Sequence, residues 1–221
     1  MKTVVFDLDG TLIDSAPDIH AACEKMLLQE GRRPLPLETV RSFIGNGVPK
    51  LVERVIEASG LAGEELPRLT ADFLSHYEAA PSALTTVYPG ARSLLRELKA
   101  RGYGVGLCTN KPEAPTRAIL RDLDLERYFD AIVGGDTLQR RKPDPAPLLR
   151  VFEQLGATGR LYVGDSEVDA ETAQRANLPF ALYLPGYRRV AAGDLPHAHA
   201  FDDFSQLSGD VDRLLASEVS A

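Results

Sequence analysis

The chain has 221 residues, 44% of them apolar and 26% charged, so it can bury a sizeable core and is too apolar for global disorder. A net charge of −7 argues against a surface built for DNA, RNA or anionic lipid, although a local cation can reverse the sign inside one pocket. The two cysteines, Cys23 and Cys108, match no zinc spacing, no apolar run reaches membrane-spanning length, and Asp7 comes too early for a signal-peptide apolar region. The expectation is a reduced, soluble, cytoplasmic protein with no nucleic-acid or membrane partner.

Residues 3–8 (Thr-Val-Val-Phe-Asp-Leu) predict a short strand running straight into Asp9-Gly10-Thr11. Residues 16–80 differ: four helix-like segments and no convincing strand, with Ile19, Ala22, Cys23, Met26 and Leu27, and then Leu51, Val55 and Ile56, at helical spacing. Pro34, Pro36, Gly45, Gly47, Gly60 and Gly63 punctuate the gaps. After a linker from Ala79-Ala80-Pro81 to Tyr88-Pro89-Gly90 the chain alternates. The reading is helix 91–101, strand 103–108, helix 113–123, strand 130–134, helix 145–156, strand 160–163, helix 168–176, strand 180–184 and a last helix at 203–215. This alternation predicts an α/β fold, a Rossmann-like parallel sheet covered on both faces, with ligands at the carboxyl ends of its strands. Residues 1–15 and 82–221 would form that core, and residues 16–81 a small all-helical cap domain inserted after the first strand.

In a parallel sheet, the residues that end the strands converge on one crevice: Asp7 and Asp9, Thr109-Asn110, Lys142 after the 130–134 strand, and Gly164-Asp165. Asp7 and Asp9, two apart, project to the same side of an extended strand, and Gly10 lets the chain turn beyond them. Two close carboxylates repel unless a cation or shared proton intervenes. Phosphoryl transfer can use both solutions: one carboxylate attacks phosphorus while Mg²⁺ shields its charge, and the other is the acid for the leaving alkoxide, then the base for water. A bare Asp-x-Asp also serves as an acidic turn closing a strand. The hydroxyl, amide and backbone N–H groups of Thr109-Asn110-Lys111 suit phosphate oxygens, or the pair before Pro112 simply caps a helix. Arg140-Arg141-Lys142 reads as a solvated basic run, except that Pro143, Pro145 and Pro147 can fix its geometry and aim one amine inward. Acids at 165, 167 and 169 favour a helix dipole, but facing Asp7 they would repel it strongly without a metal.

Asp7-Leu-Asp9-Gly10-Thr11, Thr109-Asn110, Lys142-Pro143 and Gly164-Asp165-Ser166 with Asp169 come in the order of the haloacid dehalogenase superfamily, which the chain resembles over nearly its whole length. Asp14-Ser15-Ala16-Pro17-Asp18, Phe43-Ile44-Gly45-Asn46-Gly47 and Tyr88-Pro89-Gly90 are similar to its bacterial phosphoglycolate phosphatase branch. The resemblance implies a phosphatase for a small phosphorylated metabolite, acting as a monomer or homodimer through an aspartyl-phosphate intermediate. Asp7 would be nucleophile and Mg²⁺ ligand, and Asp9 the general acid/base and a ligand through its backbone carbonyl. Thr109, Asn110 and Lys142 would hold the phosphoryl group, Asp165 would complete the metal site, and Asp169 would steer a metal-bound water.

The helical insertion is expected to act as a lid hinged near 14–17 and 80–88, with the Gly45-Asn46-Gly47 turn and Lys50 as candidates for reading a substrate carboxylate. Cys108 reads as a packed core thiol, His197 and His199 as surface residues, and Arg188-Arg189 as a solvated loop; His20 and His76 need no function. Other phosphatases of the superfamily, for pyrophosphate or a sugar phosphate, and a phosphoglucomutase are the enzymatic alternatives. A phosphoryl-sensing module without turnover is the alternative of another class, although binding alone needs no nucleophile.

Overall fold

The computed structural model describes residues 1–216; residues 217–221, the end of the expected core segment, lie outside the described residues. Strand β1 (Lys2–Phe6) leads to β2 (Ile13–Asp14) and then to four helices, α1 (Ala16–Gln29), α2 (Leu37–Arg41), α3 (Val48–Ser59) and α4 (Leu66–Glu78), before β3 (Thr86–Val87) returns antiparallel to β2. Alternation follows: α5 (Ala91–Ala100), β4 (Gly104–Cys108), α6 (Glu113–Asp122), β5 (Ala131–Val133), α7 (Ala146–Gln154), β6 (Gly159–Gly164), α8 (Glu167–Arg175), β7 (Phe180–Tyr183), β8 (His199–Phe201) and α9 (Phe204–Ala216).

The main sheet is parallel, in the order β5-β4-β1-β6-β7-β8. Val4, Val5 and Phe6 of the central strand are fully buried because both faces are covered, which is why they read as a continuous apolar run rather than an alternating one. Val4 and Phe6 pack on the side of α5, α6 and α9, while Val5 packs on the side of α7 and α8. The chain goes from β1 outward to β4 and β5, then crosses back to β6 on the other flank of β1. The strand order therefore reverses between β1 and β6, and the crevice of such a sheet opens at the carboxyl ends there.

The helical spacing within 16–80 is realised as buried stripes: Ile19, Cys23 and Met26 on α1, Leu51 and Val55 on α3, Leu69 and Phe73 on α4. Proline near the start of α3 and Gly60 in the left-handed region after it give that helix its limits. The expected strand 3–8 stops at Phe6, because a turn built on the Leu8 carbonyl begins immediately after it. The β2–β3 ribbon and β8 were not expected; pieces of two and three residues are too short to show a period. Among the described residues no helix is long and apolar enough to cross a membrane.

Asp18, on the first turn of α1, is 4% exposed and accepts hydrogen bonds from the backbone N–H groups of Leu84 (3.0 Å) and Thr85 (2.7 Å) and from the Thr85 hydroxyl (2.6 Å). It fastens the chain leaving β2 to the chain returning to β3. Hydrogen bonds to a charged acceptor are the strong ones, and losing them leaves buried donors unsatisfied. Asp18→Ala is expected to lower unfolding stability by roughly 3 kcal/mol, read from the shift of the urea midpoint at unchanged slope; a loss below about 0.5 kcal/mol would show that these bonds do not hold the two passages together.

Candidate active site

The Asp7 N–H still bonds the Val163 carbonyl (2.8 Å), continuing the β1–β6 ladder, but the Leu8 carbonyl then receives the N–H groups of Thr11 (3.2 Å), Leu12 (2.9 Å) and Ile13 (3.2 Å). Gly10 sits at φ +87° at the apex, a conformation open to glycine at little cost. Because the chain has left the strand, Asp7 and Asp9 do not share one side as an extended segment would require. Asp7 faces Lys142 and the acids after β6, whereas Asp9 faces Lys111 and Ser15.

Oxygens of Asp7, Asp165 and Asp169 all lie within 4.8 Å of one another, and all three residues are buried. Asp165 is pinned by the Thr11 hydroxyl (2.7 Å) and the Tyr187 N–H (2.6 Å). A Cβ on Gly10 would stand 2.5 Å from Asp165 Oδ2, one on Gly186 2.2 Å from the Asp165 Cβ, and one on Gly164 2.5 Å from the Asp169 Cβ. Three glycine backbones thus press on two carboxylates. Burial, then repulsion from Asp169 and Asp7, pushes the Asp165 carboxyl well above the usual range. Burial lifts Asp7 to about 7, with Lys142 pulling it back and Asp169 adding to the rise. Burial acts on Asp169 in the same sense, but Lys142, Ser166 and Tyr162 together hold it below the ordinary value.

This donor set fits a hard divalent cation. It consists of carboxylate oxygens, and Asp7 Oδ1 is buried, 2.9 Å from Lys142 Nζ, yet receives no aligned hydrogen bond. The expected ligands Asp7 and Asp165 belong to the cluster by their side chains. The Asp9 carboxylate lies outside it, so only the Asp9 backbone is left for that role. Asp169 is occupied on both oxygens: Oδ1 by Lys142 Nζ (2.7 Å) and the Tyr162 hydroxyl (2.7 Å), Oδ2 by the Ser166 hydroxyl (2.6 Å) and N–H (3.1 Å). It closes a capping box on α8 and holds Lys142 in place. Glu167 turns outward to Arg189 (2.6 Å).

Lys142 is 3% exposed, so the solvated-loop reading of the basic run holds for its neighbour Arg140, which pairs with Asp144 (3.0 Å), and not for Lys142. Burial would lower the Lys142 pKa, but Asp169 and Asp7 outweigh it and keep the amine charged. Thr109 Oγ1 accepts the Lys111 N–H (3.2 Å). Asn110 donates its two amide hydrogens to the carbonyls of Gly45 and Lys142, both at 3.0 Å, tying the helical segment to the Lys142 loop.

Several site residues were not foreseen. Lys111 is buried with Nζ 3.0 Å from both Asp9 oxygens and 4.8 Å from the centre of the Tyr77 ring. Its position in the Thr109-Asn110-Lys111 motif was a signal, but a lysine at a helix start ordinarily points to water. The Ser15 hydroxyl donates to Asp9 Oδ1 (2.5 Å). Tyr187 lies in what reads as a solvated loop, yet its hydroxyl accepts the N–H groups of Ser15 (2.8 Å) and Ala16 (3.1 Å) and donates to Asp14 (2.6 Å). Tyr162, inside β6, supports Lys142 from beneath (2.9 Å).

Lys50, by contrast, is half-exposed and paired with Glu53 (2.5 Å), away from the site; Arg54 braces the Gly45–Gly47 turn through the Phe43 carbonyl (2.8 Å) and Asn46 Oδ1 (2.9 Å). Cys23 and Cys108 are buried thiols that burial pushes up to about 12. His197 bonds the Leu195 carbonyl (2.8 Å) and His199 stands 3.6 Å from Asp210, so the two histidines serve different partners.

Above the acids lies a cavity of about 50 Å³. Asp7, Asp9, Thr109, Asn110 and Lys111 form its polar floor, and Ile19, Ile44, Val48, Leu51, Phe73 and Tyr77 form a largely apolar roof from the helical segment. Such a site brings together two carboxylates in different surroundings, two fixed amines and a shielded space for a small group.

Comparison with known proteins agrees with this geometry. The family described as haloacid dehalogenase-like hydrolase matches residues 4–183. A phosphoglycolate phosphatase of Cereibacter sphaeroides is 51% identical over 218 residues, covering 98% of this chain and all of the relative. One from Rhodospirillum rubrum is 44% identical, covering 93% of this chain and 89% of the relative. A crystal structure described as a predicted phosphoglycolate phosphatase from Haemophilus somnus superposes with a TM-score of 0.88 at 28% identity, covering 94% and 96% of the two chains. The chain belongs to the haloacid dehalogenase-like hydrolases.

Proposed function

We propose that the protein is a Mg²⁺-dependent phosphatase of a small phosphate monoester, with 2-phosphoglycolate, named by its relatives, as the substrate. Asp7 is the nucleophile and Asp9 the general acid/base; residues 16–81 act as a cap over a core made of 1–15 and 82–221. The observation that carries this reading is the divergence of Asp7 and Asp9: two carboxylates two residues apart, one in an anionic cluster suited to a cation, the other beside a lysine at the cavity floor. Two environments suit two roles.

An Asp7 oxygen attacks phosphorus, the bond from phosphorus to the ester oxygen breaks, and Asp9 gives that oxygen its proton. Water then attacks the phosphorus of the aspartyl phosphate as Asp9 takes a proton from it, the bond from phosphorus to the Asp7 oxygen breaks, and inorganic phosphate leaves with the Asp7 carboxylate restored. Lys142, held by Asp169 and Tyr162, keeps a positive charge at the nucleophile without needing to move, and Thr109 and Asn110 border the phosphoryl position. The Asp7 and Asp165 side chains, with the Asp9 carbonyl, would hold Mg²⁺, whose charge would let an anionic nucleophile approach a phosphate dianion. A roof of aliphatic and aromatic side chains offers a hexose few partners for its hydroxyl groups, which disfavours the mutase alternative. Two buried, unpaired cysteines suit the cytoplasm.

Release of inorganic phosphate from 2-phosphoglycolate is expected with Mg²⁺ and lost on chelation. Asp7→Asn should lower kcat by at least ~10³-fold in a folded protein, since an amide neither attacks nor ionises. Undiminished turnover by that variant would remove Asp7 from the nucleophile's place.

A second expectation concerns pH. Burial pushes the Asp7 carboxyl from an ordinary 3.8 up to about 7, so between these values the folded state holds a proton that the unfolded chain has released. Stability of the metal-free protein should therefore fall as pH rises through this window, and the raised Asp165 carboxyl acts in the same sense. Mg²⁺ binds the ionised acids, so the rise in Tm that it causes should grow from about pH 5 to about pH 8. Thermal scans with Mg²⁺ or chelator across that range test it, and a Mg²⁺ effect of equal size at every pH would contradict it.

A further inference from the structure

The substrate carboxylate needs a partner, and Lys50 is not available to it. Resting on the phosphatase reading above, we propose that Lys111, assisted by the Tyr77 hydroxyl, is the group that recognises the substrate's carboxylate. The substrate class selected is thereby the phosphate esters of small 2-hydroxy acids.

Among the described residues, Lys111 is the only cation on the wall of the cavity; Lys142 lies behind Asp7, and the helical roof contributes no charge. An ammonium group has three hydrogens to donate. Two reach the Asp9 oxygens, each at 3.0 Å, and the third lies on the side of the Tyr77 hydroxyl, which feels the amine without forming an aligned hydrogen bond to it, so an acceptor entering between them would meet both. Tyr77 lines the same cavity, is 4% exposed, and its hydroxyl is buried without a hydrogen-bond partner. Its ring is stacked on Phe73 at 5.8 Å and lies 4.8 Å from Lys111 Nζ, so the orphan hydroxyl is fixed beside the amine. A buried hydroxyl left unpaired is costly, and a carboxylate oxygen would satisfy it.

Connectivity places the carboxylate there. The ester oxygen must stand at Asp9 to receive its proton, and in the ester of a 2-hydroxy acid the carboxyl carbon is joined to the carbon that carries this oxygen. Asp9 touches Lys111, so a carboxylate at that remove falls against the amine. Asn110 offers no competing donor from its side chain, since both amide hydrogens are committed to Gly45 and Lys142. Tyr77 comes from the cap and Lys111 from the core, so recognition is complete only when the two are closed on each other.

The test compares kcat/KM for 2-phosphoglycolate and for its neutral isostere, the phosphate ester of glycolamide, in the Mg²⁺-loaded enzyme. The wild type should prefer the acid by ~10²-fold or more. In Lys111→Gln the preference should fall to within about threefold of unity, Lys111→Arg should retain most of it, and Tyr77→Phe should lose about fivefold of it. Lys111 also holds Asp9, so turnover of both esters should drop together; the ratio between them is insensitive to that common loss. A wild-type preference near unity, or an undiminished one in a folded Lys111→Gln, overturns the proposal. If Lys111→Gln does not fold by circular dichroism, an undiminished preference in Tyr77→Phe together with full loss in Lys111→Arg overturns it, and the converse pattern supports it. Phosphate release from neither ester by the wild type would instead defeat the phosphatase reading itself.

Discussion

Among the described residues, Asp7, Asp9, Asp165 and Asp169 gather at the carboxyl ends of β1 and β6 around two ammonium groups, those of Lys111 and Lys142. Two negative charges are left over in a place where water cannot dilute them. A protein interior tolerates this either by binding protons or by binding a cation of matching charge, and the elevated Asp7 and Asp165 carboxyls are the first of these solutions. Much of the surrounding structure serves to make the second one available. The site stores electrostatic repulsion, and a set of carboxylate oxygens of this kind fits a hard divalent ion.

The crowding is enforced by backbone rather than by side chains. Gly10, Gly164 and Gly186 come from three separate segments, and each allows the main chain to lie against a carboxylate at a distance where a methyl group would collide. The acids cannot swing apart to relieve their repulsion, because the space into which they would move is already peptide. Around them, Thr11, Ser166 and Tyr162 supply hydroxyl donors that fix the direction of each oxygen. The result is a preorganised pocket whose cost is set against the large apolar core built on Val4, Phe6 and the helices that cover them.

The layered architecture was legible in the sequence because its signals are local and repeated: apolar runs that end in glycine, helical stripes between them, and Asp, Thr-Asn, Lys and Gly-Asp at the strand ends. The positions of Asp7, Thr109, Lys142 and Asp165 around one crevice follow from a parallel sheet alone. What escaped was of two kinds. Strand pieces of two or three residues, such as Ile13–Asp14 and His199–Phe201, are defined by a partner far away in the chain and carry no period of their own. Charged residues buried by tertiary contact look like surface residues in a one-dimensional string. Lys111 and Lys50 each precede or open a helix, yet one is sealed under Tyr77 and the other reaches solvent, and only the fold distinguishes them.

Tyr187 has a consequence for how small this enzyme can be made. Its N–H holds Asp165 while its hydroxyl gathers Asp14 and the first peptide groups of α1, so one residue beyond the last of the inner strands joins the acid cluster to the point where the helical segment departs. The family signature ends at residue 183, four positions earlier. A fragment trimmed to that signature would keep every recognisable motif and lose the clasp that makes them a site, which means that the catalytic unit is longer than the set of residues by which its lineage is known.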